Sequence, residues 1–195
     1  GLGARVIESV YSKELKVPMV RVNGYDLPGF VNERTLVFCS SYSGSTEETI
    51  ENTNQAIEKS AKWIAIGTGG KLLELAKQHN APFYQIEPTY NPSNQPRMAI
   101  GYSVVGQLAL ASKLGIIAVT KEQIQEAVLA MKNIQKKNRA KLFAREMKEK
   151  VIAYIAAEHL VGAMHTVNNQ LNENAKNFSA DFQIPELNHH LMEGL

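Results

Sequence analysis

The chain has 195 residues, of which 44% are hydrophobic and 21% charged, and a formal net charge of +2; this is the make-up of a globular protein of one domain to one and a half. So small a charge makes no case for nucleic acid or an anionic membrane as partner, and no run reads as a membrane span or a signal peptide. The single Cys39 cannot close an internal disulfide, and the expectation is a reducing, cytoplasmic setting with Cys39 a packed thiol rather than a nucleophile.

In chain order, Leu2, Val6, Ile7, Val10 and Leu15 recur near a 3.6 period and predict a helix over residues 2 to 14. Because no strand feeds that helix, sequence upstream is expected. Pro18 to Val22 reads as a strand and Tyr25 to Gly29 as a loop. Arg34 to Ser40 is an apolar run suited to a buried parallel strand, and Ile50, Asn54, Ile57 and Ala61 then repeat at helical spacing. Trp63 to Gly67 and Phe83 to Ile86 are further strands flanking an amphipathic helix over Lys71 to His79. This alternation predicts an α/β fold with a doubly wound parallel sheet, whose ligands sit at the carboxyl ends of the strands. Pro88 to Pro96 is a loop, followed by an apolar helix from about Met98 to Leu114.

Thr120-Lys121-Glu122-Gln123 is a capping-box signature, and one long helix is expected from there to about Lys148. Its second half carries Lys132, Lys136, Lys137, Arg139, Lys141, Arg145, Lys148 and Lys150. Without aromatic interleaving or a recognition-helix pattern, this reads as a solvated connecting helix and not a nucleic-acid face. Val151 to Ala157 predicts a buried strand, Leu160 to Lys176 a helix, and Phe178 to Ile184 a strand broken by Pro185. The domains expected are residues 1–119, a connecting helix over 120–149, and a second domain over 150–195. One strand–helix–strand unit cannot close its own core, so the second domain is expected to be cut short or completed by another chain.

The stretch with the clearest chemistry is Ser41-Tyr42-Ser43-Gly44-Ser45-Thr46-Glu47-Glu48-Thr49, a turn of hydroxyls and one glycine between strand and helix. Such a turn aims backbone N–H groups and the positive end of a helix dipole at one point, which suits an anion with several oxygens such as a phosphate monoester. The alternative is an ordinary loop with Ser45 or Thr46 as helix cap. Glu47 and Glu48 weigh against the anion, and the absence of Gly-Lys-Ser/Thr disfavours a nucleoside triphosphate. Arg97, at a helix start, is poorly placed against the dipole and needs an anionic partner from protein or ligand. Glu186 follows a strand end and Pro185, where an α/β fold can hold a base. The Glu186 and His189 pair lacks the further ligands a di-iron bundle needs, and zinc-protease spacing is missing, so no metal is expected. His189 and His190 are equally well read as surface or helix-cap residues.

Taken together, four motifs in order and spacing are more specific than any one. They are Ser41 to Thr49, Gln95-Pro96-Arg97, Gln170-Leu171-Asn172-Glu173-Asn174-Ala175-Lys176 and Pro185-Glu186-Leu187-Asn188-His189. The chain resembles, over nearly its whole length, the sugar isomerase (SIS) domain bifunctional phosphoglucose/phosphomannose isomerases of archaea and bacteria. The resemblance implies a flavodoxin-like three-layer αβα domain followed by the start of a second SIS domain. It implies that Ser41, Ser43 and Thr46 hold the phosphate of a hexose 6-phosphate, that Arg97 steadies an enediolate, and that Glu186 is the base. It further implies a homodimer. No cofactor is expected, and the alternative function is a non-catalytic phosphosugar sensor built on the same sheet. Ser45 and His190 stand where relatives often carry Asn. The family's Gly-Gly-Ser turn, ring-opening His and Lys are expected outside this chain, which is therefore expected to be a fragment with little activity alone.

Overall fold

The structure is a computed structural model that describes residues 1–134 and 137–194. Residues 135 and 136, which include Lys136 of the basic run and the middle of the helix expected over 120–148, lie outside the described residues. The chain divides into two compact units: Val20–Gly106 with Gly1, and Leu2–Met19 with Gln107–Leu195.

The first unit is built on three short strands, β1 (Leu36–Ser40), β2 (Lys62–Gly67) and β3 (Phe83–Gln85). They form a parallel sheet in the order β1-β2-β3, with Leu36 opposite Lys62 and Ala65 opposite Phe83. Parallel neighbours require crossovers, supplied by α2 (Glu47–Glu58) and α3 (Gly70–Gln78). The sheet is therefore the α/β arrangement expected from the alternation of strands and helices. β2 lies between the other two and is buried from Trp63 to Gly67, which explains why its sequence is a continuous apolar run with no alternation. Trp63 and Ala65 pack with Ile50 and Ala56 of α2 and Leu72, Leu73 and Ala76 of α3. The intervening Ile64 and Ile66 are buried as well, so both faces of the sheet are covered. Each large apolar side chain removed from water this way contributes about 1.5–3 kcal/mol.

Pro18 to Val22, expected as a strand, has no strand structure. Pro18 has no N–H for a ladder, and Val20 is more than half exposed, so neither pairing nor burial holds the segment extended. Only Val22 reaches the core of the first unit. The helix expected from Met98 begins instead with a 3-10 turn over Pro96–Met98, and α4 runs over Ile100–Lys113.

In the second unit, α1 (Leu2–Tyr11) packs on α7 (Val161–Gln170). Ile7 of α1 joins Leu108, Ala111 and Ile117 in a small core. One packing partner of α1 is distant in sequence: its Ser9 and Gly162 of α7 are 153 positions apart. The contact is close because Gly162 has no side chain: a Cβ there would collide with the Arg5 carbonyl, and the Gly162 N–H donates to Ser9 Oγ at 3.1 Å. The capping box is realised at α5 (Lys121–Ile134), where the Thr120 N–H donates to Gln123 Oε1 at 2.9 Å and the Gln123 N–H to Thr120 Oγ1 at 3.2 Å. Beyond residues 135 and 136 the chain forms α6 (Lys137–Met147), exposed from Arg139 to Glu146, with the Arg139 guanidinium over the Phe143 ring, as a solvated helix should be.

β4 (Ile152–Ala157) and β5 (Ser179–Ile184) pair in parallel. β4 was expected to be buried; it is half-buried, with Ile155 mostly exposed. The helix expected over Leu160 to Lys176 is α7 continued by a π-helical turn, Leu171–Ala175, and ended by Lys176 at φ 53°. Asn172 gives the reason. Its amide donates to the Asn168 carbonyl at 3.0 Å and to the Ser179 carbonyl at 3.1 Å, while its own oxygen accepts from the Ser179 N–H at 3.0 Å. The side chain thus competes for the carbonyl that regular winding would use, and the helix widens there. His165 Nδ1 lies 3.1 Å from Asp181 Oδ2, and the Asn168 amide donates to Asp181 Oδ1 at 2.7 Å, which ties α7 to β5. No helix among the described residues is long and apolar enough to cross a membrane.

Candidate functional site

The turn from Ser41 to Thr46 lies at the carboxyl end of β1 and feeds directly into α2. Gly44 adopts φ +72°, and a Cβ on it would collide with the Gly69 carbonyl. Gly70, at φ +67°, meets the Ser43 carbonyl in the same way, at 2.7 Å from an added Cβ. Two glycines from successive strand–helix turns therefore let two backbones touch. The contact is fixed by hydrogen bonds: the Thr68 N–H and hydroxyl both donate to the Tyr42 carbonyl at 2.8 Å, and the Leu72 N–H donates to the Gly44 carbonyl at 2.9 Å. Nothing in the composition of Thr68-Gly69-Gly70 marks it as more than a loop. Only the packing of the two turns reveals its role.

The hydroxyls of this turn are not equivalent. Ser41 is 5% exposed, and its Oγ lies 2.7 Å from Thr46 Oγ1. That oxygen also accepts from the Gly44 N–H at 3.1 Å and the Thr46 N–H at 3.4 Å. Ser41 therefore braces the loop from inside. Ser43 and Thr46 are exposed. Thr46 occupies the N-cap position of α2, yet no side chain caps that helix. The amides of the first turn of α2 thus have no intrahelical acceptor, at the helix end where Thr46 stands. Capping by Ser45 or Thr46, the alternative on sequence grounds, is not what these hydroxyls do.

Glu47 and Glu48 stand in the first turn of α2, and Tyr25 donates its phenol to Glu47 Oε2 at 3.4 Å. The two carboxylates, Glu48 foremost, push the Tyr25 hydroxyl above its ordinary pKa. An open cleft of about 530 Å³ on that flank is lined by Tyr25, Glu47, Glu51 and Lys71, and from the cradle only by Ser45. Its carboxylates make it a poor place for an anion, whereas Ser43 and Thr46 do not line it. Cys39, in β1 just before the turn, is 3% exposed, and burial raises its thiol to about 11, so it is a packing residue as expected.

Arg97 is half-buried in the 3-10 turn over Pro96–Met98, in the same unit as the cradle, and its Nη1 donates to Gln95 Oε1 at 2.9 Å. The loop before it is tied to the cradle by a residue that sequence reasoning passed over. The amide of the buried Asn91 donates to the Tyr42 hydroxyl at 2.7 Å and to the Gln95 carbonyl at 3.0 Å. Glu186 belongs to the second unit, two residues beyond β5 and after the cis Ile184–Pro185 bond. It precedes the short helix α8 (Leu187–His190), and its side chain is 74% exposed with His190 Nδ1 at 3.6 Å. The cradle and Arg97 thus share one unit, and Glu186 lies in the other.

Residues 136–195 match the family model of the bacterial phospho-glucose isomerase C-terminal SIS domain. A bifunctional phosphoglucose/phosphomannose isomerase of Caldicellulosiruptor bescii is 34% identical over 99% of this chain and 59% of its own length. Over nearly its whole length the chain is thus similar to phosphoglucose/phosphomannose isomerases, and its C-terminal part to their SIS domain. A bifunctional phosphoglucose/phosphomannose isomerase of Aquifex aeolicus is 30% identical over 98% of this chain, again spanning 59% of the relative. The chain thus covers about three fifths of each of these two relatives. In structure it is similar to a Bacillus subtilis protein assigned to the phosphosugar isomerases, with a TM-score of 0.72 at 21% identity over 99% of this chain and 62% of that one. At that identity the likeness establishes the SIS fold and nothing finer.

Proposed function

We propose that this chain carries the phosphate cradle and the base of an aldose–ketose isomerase acting on hexose 6-phosphates, glucose 6-phosphate or mannose 6-phosphate on one side and fructose 6-phosphate on the other. The observation that carries the reading is the exposed pair Ser43 and Thr46 in front of an uncapped helix start. The relatives, named for phosphoglucose and phosphomannose isomerisation, support it. Two hydroxyls, first-turn amides and the dipole of α2 together provide a multi-donor seat for a dianion. Ser41 contributes by holding Thr46 in place.

At the reacting end, Glu186 takes the proton from C2 of the open-chain aldose. The C2–H electron pair becomes the C1–C2 double bond as the carbonyl oxygen gains charge, and Arg97 steadies that oxyanion. Passage of the O2 proton to O1 and return of the abstracted proton from Glu186 to C1 give the ketose, with its C2 carbonyl and C1 hydroxyl. Because the enediol has no configuration at C2, one carboxylate serves both aldoses. The test is Glu186→Gln in the full chain, with turnover of fructose 6-phosphate and its binding measured side by side. Turnover is expected to fall by at least about 10³-fold, given the part a positioned base has in such reactions, with affinity retained. Unchanged turnover would remove Glu186 from the mechanism and favour a phosphosugar sensor.

A further inference from the structure

Asn91 is 4% exposed in a loop whose other side chains are almost all in solvent. Both amide hydrogens and the oxygen of its side chain are engaged. Its two amide hydrogens go to the Tyr42 hydroxyl and the Gln95 carbonyl, and its oxygen accepts from Ser93 Oγ at 2.7 Å. The main chain folds round it: the Asn91 N–H donates to the Pro88 carbonyl at 2.9 Å and the Asn94 N–H to the Asn91 carbonyl at 3.0 Å. The Gln95 carbonyl is the informative partner. Besides the Asn91 amide it accepts the Met98 N–H at 3.0 Å, the bond that closes the 3-10 turn bearing Arg97. Gln95 is extended at φ −97° and ψ 131°, as a residue before proline must be, and Pro96 fixes the next φ. Arg97 therefore leaves the backbone from a turn whose anchoring oxygen is held by Asn91. Asn91 is held in turn by a side chain of the Ser-Tyr-Ser cradle.

We propose that Asn91 is a positioning residue that locks the Arg97 turn to the cradle, so that the phosphate end and the sugar end of a bound hexose phosphate are gripped in one frame. The inference rests on the assignment of phosphate to Ser43 and Thr46 and of the sugar to Arg97. A loop residue concerned only with stability would lower the melting temperature without changing what Arg97 contributes to binding. A positioning residue changes that contribution. Tyr42 matters here through its hydroxyl alone, so Tyr42→Phe breaks the link at its other end while keeping the ring.

The experiment is a double-mutant cycle in the full chain, titrating fructose 6-phosphate and, separately, inorganic phosphate, with thermal melts alongside. Arg97→Ala is expected to weaken fructose 6-phosphate by about tenfold or more, as loss of a charge-assisted contact does, and inorganic phosphate by less than about threefold. In the Asn91→Ala or Tyr42→Phe background the Arg97→Ala penalty on the sugar phosphate is expected to shrink to less than about threefold. Equal Arg97→Ala penalties in all three backgrounds, with phosphate still bound, overturn the proposal and leave the cradle assignment intact. Should Ser43→Ala and Thr46→Ala leave inorganic phosphate binding unchanged, the cradle assignment fails, and this inference with it. Tyr42→Phe carries the cycle if Asn91→Ala does not fold.

Discussion

Replacing Ser41 or Ser43 by alanine removes one hydroxyl from the same six-residue turn, with different expected consequences. Ser41 Oγ makes a hydroxyl pair with Thr46 Oγ1 at 2.7 Å and accepts from two amides at 3.1 and 3.4 Å. Of those amides, Gly44 keeps a second acceptor, the Ser41 carbonyl at 3.2 Å. The net loss in Ser41→Ala is therefore the hydroxyl pair and the Thr46 amide contact, in a buried setting. At about 0.5–1.5 kcal/mol for each hydrogen bond, stability should drop by about 1–3 kcal/mol. Ser43 is exposed and its oxygen only accepts from the Ser45 N–H at 3.3 Å, so Ser43→Ala should stay within about 0.5 kcal/mol of the parent. Urea unfolding reads the difference as a lower midpoint for Ser41→Ala at unchanged slope, and none for Ser43→Ala. Titration with inorganic phosphate should show weakened binding in both, through a misplaced Thr46 in one and a missing donor in the other. Equal midpoints for the two variants, or a destabilised Ser43→Ala, would refute the division of the loop into an internal brace and an outward donor.

The buried thiol of Cys39 makes a pH prediction. Burial raises it from an ordinary 9.0 to about 11, the Thr53 hydroxyl partly offsetting this. Below about pH 9 both folded and unfolded chains carry the neutral thiol; between about 9 and 11 only the unfolded chain ionises. Stability should fall over that window by on the order of 2 kcal/mol more than in Cys39→Ala, measured by urea melts at each pH. Gly162→Ala tests the packing of α1 on α7: alanine favours an isolated helix by about 0.8–1.0 kcal/mol, yet here the Cβ meets the Arg5 carbonyl. Overpacking should win, destabilising by about 1–3 kcal/mol, with loss of amide-exchange protection in α1. A stabilised variant would show that the two helices do not pack this closely.

What could be read from the chain was what depends on neighbours in sequence. The run from β1 through the Ser-Tyr-Ser-Gly turn into α2, the uninterrupted apolar stretch of β2, and the Thr120 capping box each follow from periodicity, turn chemistry or a three-residue spacing. The misreadings come from contacts the spacing does not encode. Pro18 to Val22 has a strand's composition, and in the structure no ladder partner and little burial. Residues 171–175 continue a helical pattern, yet the Asn172 side chain widens the turn by bonding to Ser179. Asn91 sits in a Pro- and Asn-rich stretch where composition says only loop, and its value lies in reaching Tyr42, 49 positions earlier.

The sequence by itself determined the parallel α/β character of the first unit, the position of the hydroxyl turn at a strand end, and the packed state of Cys39. Local propensity and the apolar pattern suffice for these, because each depends on a few consecutive residues meeting one environment. Only the tertiary structure decided that Ser41 faces inward while Ser43 and Thr46 face out, that Gly44 and Gly70 let the two turns touch, and that α1 packs on α7. Hydroxyls and glycines have no side-chain pattern that records direction. Which way they face is settled when distant backbones come within van der Waals contact.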